Sequence, residues 1–136
     1  MQQTATHHRV LTELDHVRID RLLSRMQARN DETLLSILDD ADVVDQRQVP
    51  RDVVTMYSQV TVEDMHDGSR RKYTVCYPED TDPNAGFVSV LSPIGTSLLG
   101  RRCGEEIELT TPSGQVQRLR IVELLFQPEA SGDFTL

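Results

Sequence analysis

The spacing of apolar residues changes once along the chain, at Pro50, and this change sets the fold class. Before Pro50 the apolar residues recur every three or four positions, which is the period of a helix with one buried face. After Pro50 they alternate with polar residues, as in a strand with one buried face. Because proline disfavours helix at the preceding residue, the sequence predicts a helical segment over residues 1–49 and a strand-rich domain over residues 50–136.

The helical segment contains two amphipathic patterns. Residues 1–9 are polar and predict a frayed terminus. The first helix is expected to begin near Thr12, which forms a capping-box-like pair with Asp15, and to end near residue 27 or 28. The second is expected over residues 32–45. Helices of this length predict a short antiparallel hairpin, with arms that reach roughly 22 Å.

The turn between the two helices is polar and places Asn30, Asp31 and Glu32 at the predicted tip of the hairpin. Asn and Asp cap helices, and acidic residues favour the first turn of a helix because of the helix dipole. We therefore interpret Asp31 and Glu32 as capping residues of the second helix.

Five stretches after Pro50 have strand character. They are residues 53–65, 70–77, 87–91, 105–110 and 115–126. An Asp-Gly pair at residues 67–68 predicts a tight turn between the first two. In the last stretch the apolar positions change parity after Ile121, which indicates a β-bulge or a strand covered on both faces. The fold class is α+β, an N-terminal antiparallel helical hairpin followed by an antiparallel sheet of about five strands packed on one short helix.

The short helix has the strongest local signals in the chain. Ser92 can cap it, Pro93 suits its first position, and Gly100 lets the chain leave it. Ile94 and Leu98 are spaced to lie on one buried face. This leaves the cap at the surface.

Charge limits the classes of partner. The chain has 14 Lys and Arg against 22 Asp and Glu, a net charge of −8, and no basic run long enough to follow a phosphate backbone. Direct nucleic-acid binding is therefore disfavoured. No long apolar run predicts a signal peptide or a membrane span, so we expect a cytoplasmic protein, with a monomer as the default.

Two groups of polar residues could be taken for metal ligands. One lies at the predicted β-turn and one on the second helix. They are Glu63, Asp64, His66 and Asp67, and Asp39, Asp40, Asp42 and Asp45. The first has the composition of an ordinary turn, and most of the second spreads around the helix. We expect no metal site, catalytic residue or cofactor.

Several segments together resemble the C-terminal domain of the bacterial Gre transcript-cleavage factors. They are Ser92-Pro93-Ile94-Gly95-Thr96-Ser97-Leu98-Leu99-Gly100, Gly104-Glu105-Glu106-Ile107, Thr111-Pro112-Ser113-Gly114 and Ile121-Val122-Glu123-Leu124. The resemblance implies a fold like that of FK506-binding proteins (FKBP-like). It also implies a partner, RNA polymerase, contacted at the rim of its secondary channel.

Three further segments are similar to the Rnk family, the regulators of nucleoside diphosphate kinase. They are residues 14–23, 50–56 and 127–133. Members of that family combine a Gre-like globular domain with a short coiled coil. The resemblance then extends over about residues 14–136 and agrees with the short hairpin that spacing predicts.

The resemblance implies that the loop before the short helix contacts polymerase, which maps to Leu91, Ser92, Pro93, Ile94 and Gly95. Gre factors commonly carry an acidic residue where this chain has Leu91, so a more apolar contact is expected.

The function implied is a non-enzymatic transcription regulator that competes with Gre-type factors and affects nucleoside diphosphate kinase indirectly. One alternative is a cleavage factor, which would need spaced acidic residues at the tip of a longer hairpin; Asp31 and Glu32 are adjacent. The other is an FKBP-like prolyl isomerase, whose aromatic pocket this chain, with three Tyr, three Phe and no Trp, is poorly equipped to build.

Overall fold

A computed structural model describes residues 9–26, 32–111 and 113–133 of the 136-residue chain. Within these ranges, three α-helices and seven strands have defined bounds. They are β1 (Val10–Thr12), α1 (Glu13–Arg25), α2 (Glu32–Asp40), β2 (Asp42–Val44), β3 (Gln59–Asp64), β4 (Arg70–Cys76), β5 (Phe87–Ser89), α3 (Pro93–Leu98), β6 (Glu106–Thr110) and β7 (Val116–Phe126). The architecture is α+β, as the sequence predicts.

Five strands form one sheet in the order β5-β4-β3-β7-β6. The number of strands is confirmed. The prediction of a wholly antiparallel sheet is wrong at one edge, because β5 runs parallel to β4, with Thr74 opposite Phe87. Between them the chain makes two 3-10 turns, each beginning with a proline, Pro78 and Pro83. These turns carry the chain back so that β5 enters the sheet in the same direction as β4.

The longest strand contains the predicted irregularity. The register of β3 against β7 shifts at two places, so two residues of β7, Val122 and Leu125, have no counterpart in β3. Val122 lies between Ile121, which is opposite Val62, and Glu123, which is opposite Thr61. An extra residue in one strand is a β-bulge. The change of parity after Ile121 is thereby explained.

The first predicted strand is shorter than expected. Strand β3 begins only at Gln59, and the residues before it do not alternate, because Val53, Val54 and Met56 are all buried. Tyr57 has a φ of 67°, in the left-handed region that few non-glycine residues adopt. The backbone therefore turns at Tyr57 instead of continuing as a strand, although the Tyr57 amide still donates to the carbonyl oxygen of Val75, at 2.6 Å.

The second helix is also shorter than predicted. It ends at Asp40, and Asp42–Val44 form a strand that pairs parallel with β1. The Asp42 amide donates to the carbonyl oxygen of Arg9, at 2.9 Å. Pairing with a distant segment has overridden a helical pattern that is only local.

One cluster of buried side chains connects the N-terminal helices to the sheet. It includes Leu22 of α1, Leu34 of α2, Val60 of β3 and Leu98 of α3. The boundary proposed at residues 49 and 50 does not interrupt this core. The division into two domains, the hairpin arrangement of α1 and α2 and the FKBP-like assignment stay predictions.

Within the described ranges, none of the helices combines the length and the hydropathy needed to span a membrane.

Candidate functional site

The corner between β5 and α3 contains the five residues that the sequence singles out. Pro93 is exposed, Leu91, Ser92 and Ile94 are half-buried, and Gly95 is buried. The inner sides of Leu91 and Ile94 pack against the main core. The structure thus brings these residues together at one corner, with Pro93 as its most exposed member.

Ser92 holds the corner together through hydrogen bonds of its hydroxyl and its amide. Its hydroxyl accepts a hydrogen bond from the amide of Gly95, at 3.1 Å, and donates one to the carbonyl oxygen of Ser89, at 2.6 Å. The amide of Ser92 donates to the same carbonyl oxygen, at 2.9 Å. The predicted N-cap is confirmed, and it joins the last residue of β5 to the first turn of α3.

Two more hydroxyl groups hold the loop. The Leu91 amide donates to Oγ of Ser89, at 3.0 Å, and Oγ1 of Thr96 donates to the carbonyl oxygen of Val90, at 2.6 Å. The loop is held by hydroxyl groups on both sides of it, so its backbone is fixed before any partner arrives. A fixed surface loses little conformational freedom on binding.

Gly95 is required by the close approach of β5 and α3. A Cβ atom at this position would lie 2.0 Å from the carbonyl oxygen of Ser89. No side chain fits at that distance. Sequence reasoning assigned Gly95 to the partner contact, but the structure buries it, so its part in the corner is to let the two elements meet.

Arg9 caps the C-terminal end of α3, and the sequence did not predict this contact. Its Nη1 donates to the carbonyl oxygens of Thr96 and Leu99, the second at 3.1 Å. These carbonyls belong to the last turn of a helix, where no intrahelical donor is available. Burial lowers the pKa of the Arg9 guanidinium to about 10, and Arg101 adds to this while Glu105 opposes it.

The prediction that residues 1–9 fray is wrong for Arg9. Its side chain is bonded to the end of α3, and the next residue, Val10, begins β1 beside that end. The Val10 amide donates to the carbonyl oxygen of Gly100, at 3.1 Å. Gly100 has a φ of 77°, and a Cβ there would lie 2.9 Å from the Cβ of Arg9. The predicted exit at Gly100 is confirmed. No local sequence signal indicates the contact with Arg9.

A second buried polar contact joins α1 to the segment before β3. Thr12 caps α1, since its Oγ1 accepts from the Asp15 amide at 3.0 Å. The Asp15 carboxylate contacts the segment before β3, where its Oδ2 accepts a hydrogen bond from the Met56 amide at 3.1 Å. Burial raises the pKa of Asp15 to about 7, and the bond from Met56 opposes this.

The predicted hairpin tip can be followed only in part. Asn30 and Asp31 lie outside the described residues, and Glu32 is placed only as the first residue of α2. In the described ranges, no three His, Cys, Asp or Glu side chains are grouped closely enough to hold a metal ion.

Comparison with known proteins gives matches to one family model and to two kinds of relative. The family model of the GreA/GreB transcription elongation factor C-terminal domain matches residues 49–125, more than half of the chain. The regulator of nucleoside diphosphate kinase of Escherichia coli K12 is 36% identical over 130 residues, which cover 93% of this chain and 96% of that protein. GreA of Desulfovibrio desulfuricans is 38% identical over 74 residues, 54% of this chain and 46% of that factor.

Solved structures agree with these matches. A GreA/GreB elongation factor from Nitrosomonas europaea is 35% identical and superimposes with a TM-score of 0.75, covering 87% of this chain and 99% of that one. The Gfh1 protein of Thermus thermophilus, at 22% identity and a TM-score of 0.50, shares the fold alone.

Proposed function

The chain belongs to the family of the regulators of nucleoside diphosphate kinase, with a GreA/GreB C-terminal domain over most of its length, and we propose that it is a non-enzymatic transcription regulator that binds RNA polymerase. The proposed contact is the corner at the start of α3. The relatives of this chain are named as regulators and elongation factors, which supports a regulatory activity.

The observation that carries the proposal is that Pro93 is exposed on a corner whose backbone is held by hydrogen bonds within the chain. The hydroxyl of Ser92 is occupied by Ser89 and Gly95, so the side chains that can meet a partner are Pro93 and the outer edges of Leu91 and Ile94. All three are apolar. The contact is therefore proposed to be an apolar one, where Gre factors place an acidic residue.

The resemblance to Gre factors supports a proposal about where on polymerase the chain binds. We propose that the sheet-bearing domain, residues 50–136, holds the rim of the secondary channel, while the N-terminal hairpin, residues 1–49, points into it. A single copy of the chain would fill this site. It would then exclude Gre-type factors by occupying the same rim and would change nucleoside diphosphate kinase levels through transcription.

Helix length favours this function over transcript cleavage. At a rise of 1.5 Å per residue, the 13 residues of α1 and the 9 residues of α2 span roughly 20 Å and 14 Å. A cleavage factor has to bring acidic side chains to the catalytic metal of polymerase at the far end of the channel. An arm of this length suits a protein that occupies the entrance.

Competition for core polymerase is the direct test. A labelled Gre factor is bound to core polymerase, and the unlabelled chain is added in increasing amounts while fluorescence anisotropy is followed. We expect full displacement of the Gre factor, and simultaneous binding of both proteins would contradict a shared site.

A second measurement separates regulation from catalysis. The chain is added to a backtracked elongation complex with labelled RNA, and a Gre factor serves as the positive control. We expect no release of short RNA fragments from the chain alone and a slower release by the Gre factor in its presence. Strong cleavage by the chain alone would overturn the non-enzymatic assignment.

A further inference from the structure

Helix α1 and the segment that follows β4 line a cleft that includes none of the residues of the corner at the start of α3. Its volume is about 590 Å³, within the roughly 300–1,000 Å³ of small-molecule sites. The helix contributes Arg18, Arg21 and Arg25, and the other wall contributes Tyr77 and Glu79.

The cleft concentrates positive charge in an acidic protein. Arg18, Arg21 and Arg25 are three and four residues apart, so they lie along one face of α1. The chain as a whole has 14 basic and 22 acidic side chains. A guanidinium group presents a planar fork of N–H donors that matches two oxygens of a phosphate group. Arg21 and Arg25 are exposed and can turn toward a ligand.

Tyr77 adds a donor in the wall of the cleft. Its side chain is only 9% exposed, and among the described residues its hydroxyl has no partner with hydrogen-bond geometry. A buried hydroxyl without a partner is costly, so such groups are rare and call for an explanation. Arg18 lies beside this hydroxyl, and both its charge and a contact that falls short of full hydrogen-bond geometry oppose the rise that burial causes in the pKa of Tyr77. A phosphate oxygen that draws the Arg18 side chain to itself can also accept from this hydroxyl.

Two carboxylates restrict the ligand. Asp20 and Glu79 also line the cleft, so its three arginines and two carboxylates give it a formal charge of +1. A carboxylate repels phosphate but accepts hydrogen bonds from hydroxyl groups. A small ester that carries both a phosphate and free hydroxyl groups uses both kinds of side chain.

We propose that this cleft binds the phosphate group of a small hydroxyl-bearing phosphate ester, such as a nucleotide, between the arginines of α1 and Tyr77. The proposal concerns the isolated chain. It therefore stands or falls separately from the contact with polymerase.

The test is calorimetric titration of the full chain with ADP and, separately, with inorganic pyrophosphate. Both probes carry a diphosphate, and only ADP carries ribose hydroxyl groups. We expect saturable binding of both, with ADP the tighter. The absence of saturable binding of either probe overturns the proposal, and equal affinity overturns the part assigned to the hydroxyl groups.

Substitutions identify the side chains. Arg21→Gln and Arg25→Gln should each lower the affinity roughly tenfold, because each removes hydrogen bonds between charged groups. Glu79→Gln should raise the affinity for pyrophosphate, since it removes a repulsive charge, and should reduce the advantage of ADP, since a neutral amide is a weaker acceptor for its hydroxyl groups. The matched control is Arg51→Gln, which changes another exposed arginine that does not line the cleft. An equal loss of affinity in the control shows unspecific attraction and overturns the site.

Tyr77→Phe isolates the hydroxyl, because it keeps the packing of the ring. We expect weaker binding together with little change in thermal stability, since among the described residues no group meets hydrogen-bond geometry with this hydroxyl. Unchanged affinity would exclude this hydroxyl from the site. A single-stranded oligonucleotide that binds more tightly than ADP, with the same dependence on Arg21 and Arg25, would replace the small ligand by a nucleic acid and overturn the proposal.

Discussion

The carboxylate of Asp15, in the first turn of α1, accepts a hydrogen bond from the backbone amide of Met56, at 3.1 Å. The two residues are 41 positions apart in the chain, and both are buried. This bond is a direct polar connection between the N-terminal helices and the segment that leads into the sheet. It depends on an acidic side chain that has been removed from water.

The position of Asp15 makes stability depend on pH. Its pKa is raised from 3.8 to about 7, so the folded state holds the proton more tightly than the unfolded state. The contribution is most favourable below pH 4, decreases between about pH 4 and 7, and stays low above that. For Asp15→Asn we expect this slope to disappear, while the wild type loses roughly 2–4 kcal/mol of unfolding free energy across the window. Urea denaturation at a series of pH values measures the unfolding free energy of the wild type and of the variant.

Neighbouring groups have to be taken into account in that experiment. The charge of Glu129 adds to the rise in the pKa of Asp15. Burial also raises the pKa of Glu129 itself, and its carboxylate accepts from Oγ1 of Thr55 at 2.7 Å. Arg18 and the Tyr77 hydroxyl also interact with Asp15. The quantity to compare is therefore the difference between wild type and variant at each pH. Asp20→Asn, an exposed change on the same helix, is the control and should leave the slope intact.

Removal of the Arg9 side chain should destabilise α3. Arg9→Gln shortens the side chain and leaves the carbonyl oxygens of Thr96 and Leu99 without their donor. We expect a loss of about 1–3 kcal/mol of unfolding free energy, the usual cost of an unsatisfied buried group. Arg9→Lys should recover only part of it, because an ammonium group lacks the fork that reaches two carbonyls. Arg51→Gln is the exposed control, and an equal effect there would contradict the capping role.

The contact at Gly95 predicts a result opposite to helix propensity. In an ordinary helix, Gly→Ala is favourable by about 1 kcal/mol. Here the added Cβ would lie 2.0 Å from the carbonyl oxygen of Ser89, so we expect Gly95→Ala to destabilise the fold by roughly 3 kcal/mol. Thermal denaturation followed by circular dichroism measures the change. A stabilised variant would show that β5 and α3 do not meet as closely as described.

Local features of the fold could be predicted from the sequence, and distant contacts could not. The cap formed by Ser92 was predictable because its partners, Ser89 and Gly95, lie within three residues of it. The bonds from Arg9 to α3 join residues 87 and 90 positions apart, so no pattern within either segment indicates them. The helical prediction for Asp42–Val44 failed for the same reason, since β1 lies far upstream. The cap of α3 was therefore predictable and its bonds to Arg9 were not, while the use of this corner as the polymerase contact stays a prediction.

The proposed polymerase contact can be tested at Pro93 with a matched proline. Pro93 and Pro83 are both exposed and both occupy the first position of a helical turn, where proline has no amide hydrogen bond to lose. Pro93→Ala and Pro83→Ala should thus change stability by a similar small amount. Only Pro93→Ala should weaken binding to core polymerase, by roughly fivefold, because one apolar contact is worth about 1 kcal/mol. Leu91→Asp restores the acidic residue common in Gre factors and should alter the affinity as well. Surface plasmon resonance on immobilised core polymerase measures the affinity of the wild type and of each of the three variants. Equal binding by all four proteins would mean that this corner is not the interface.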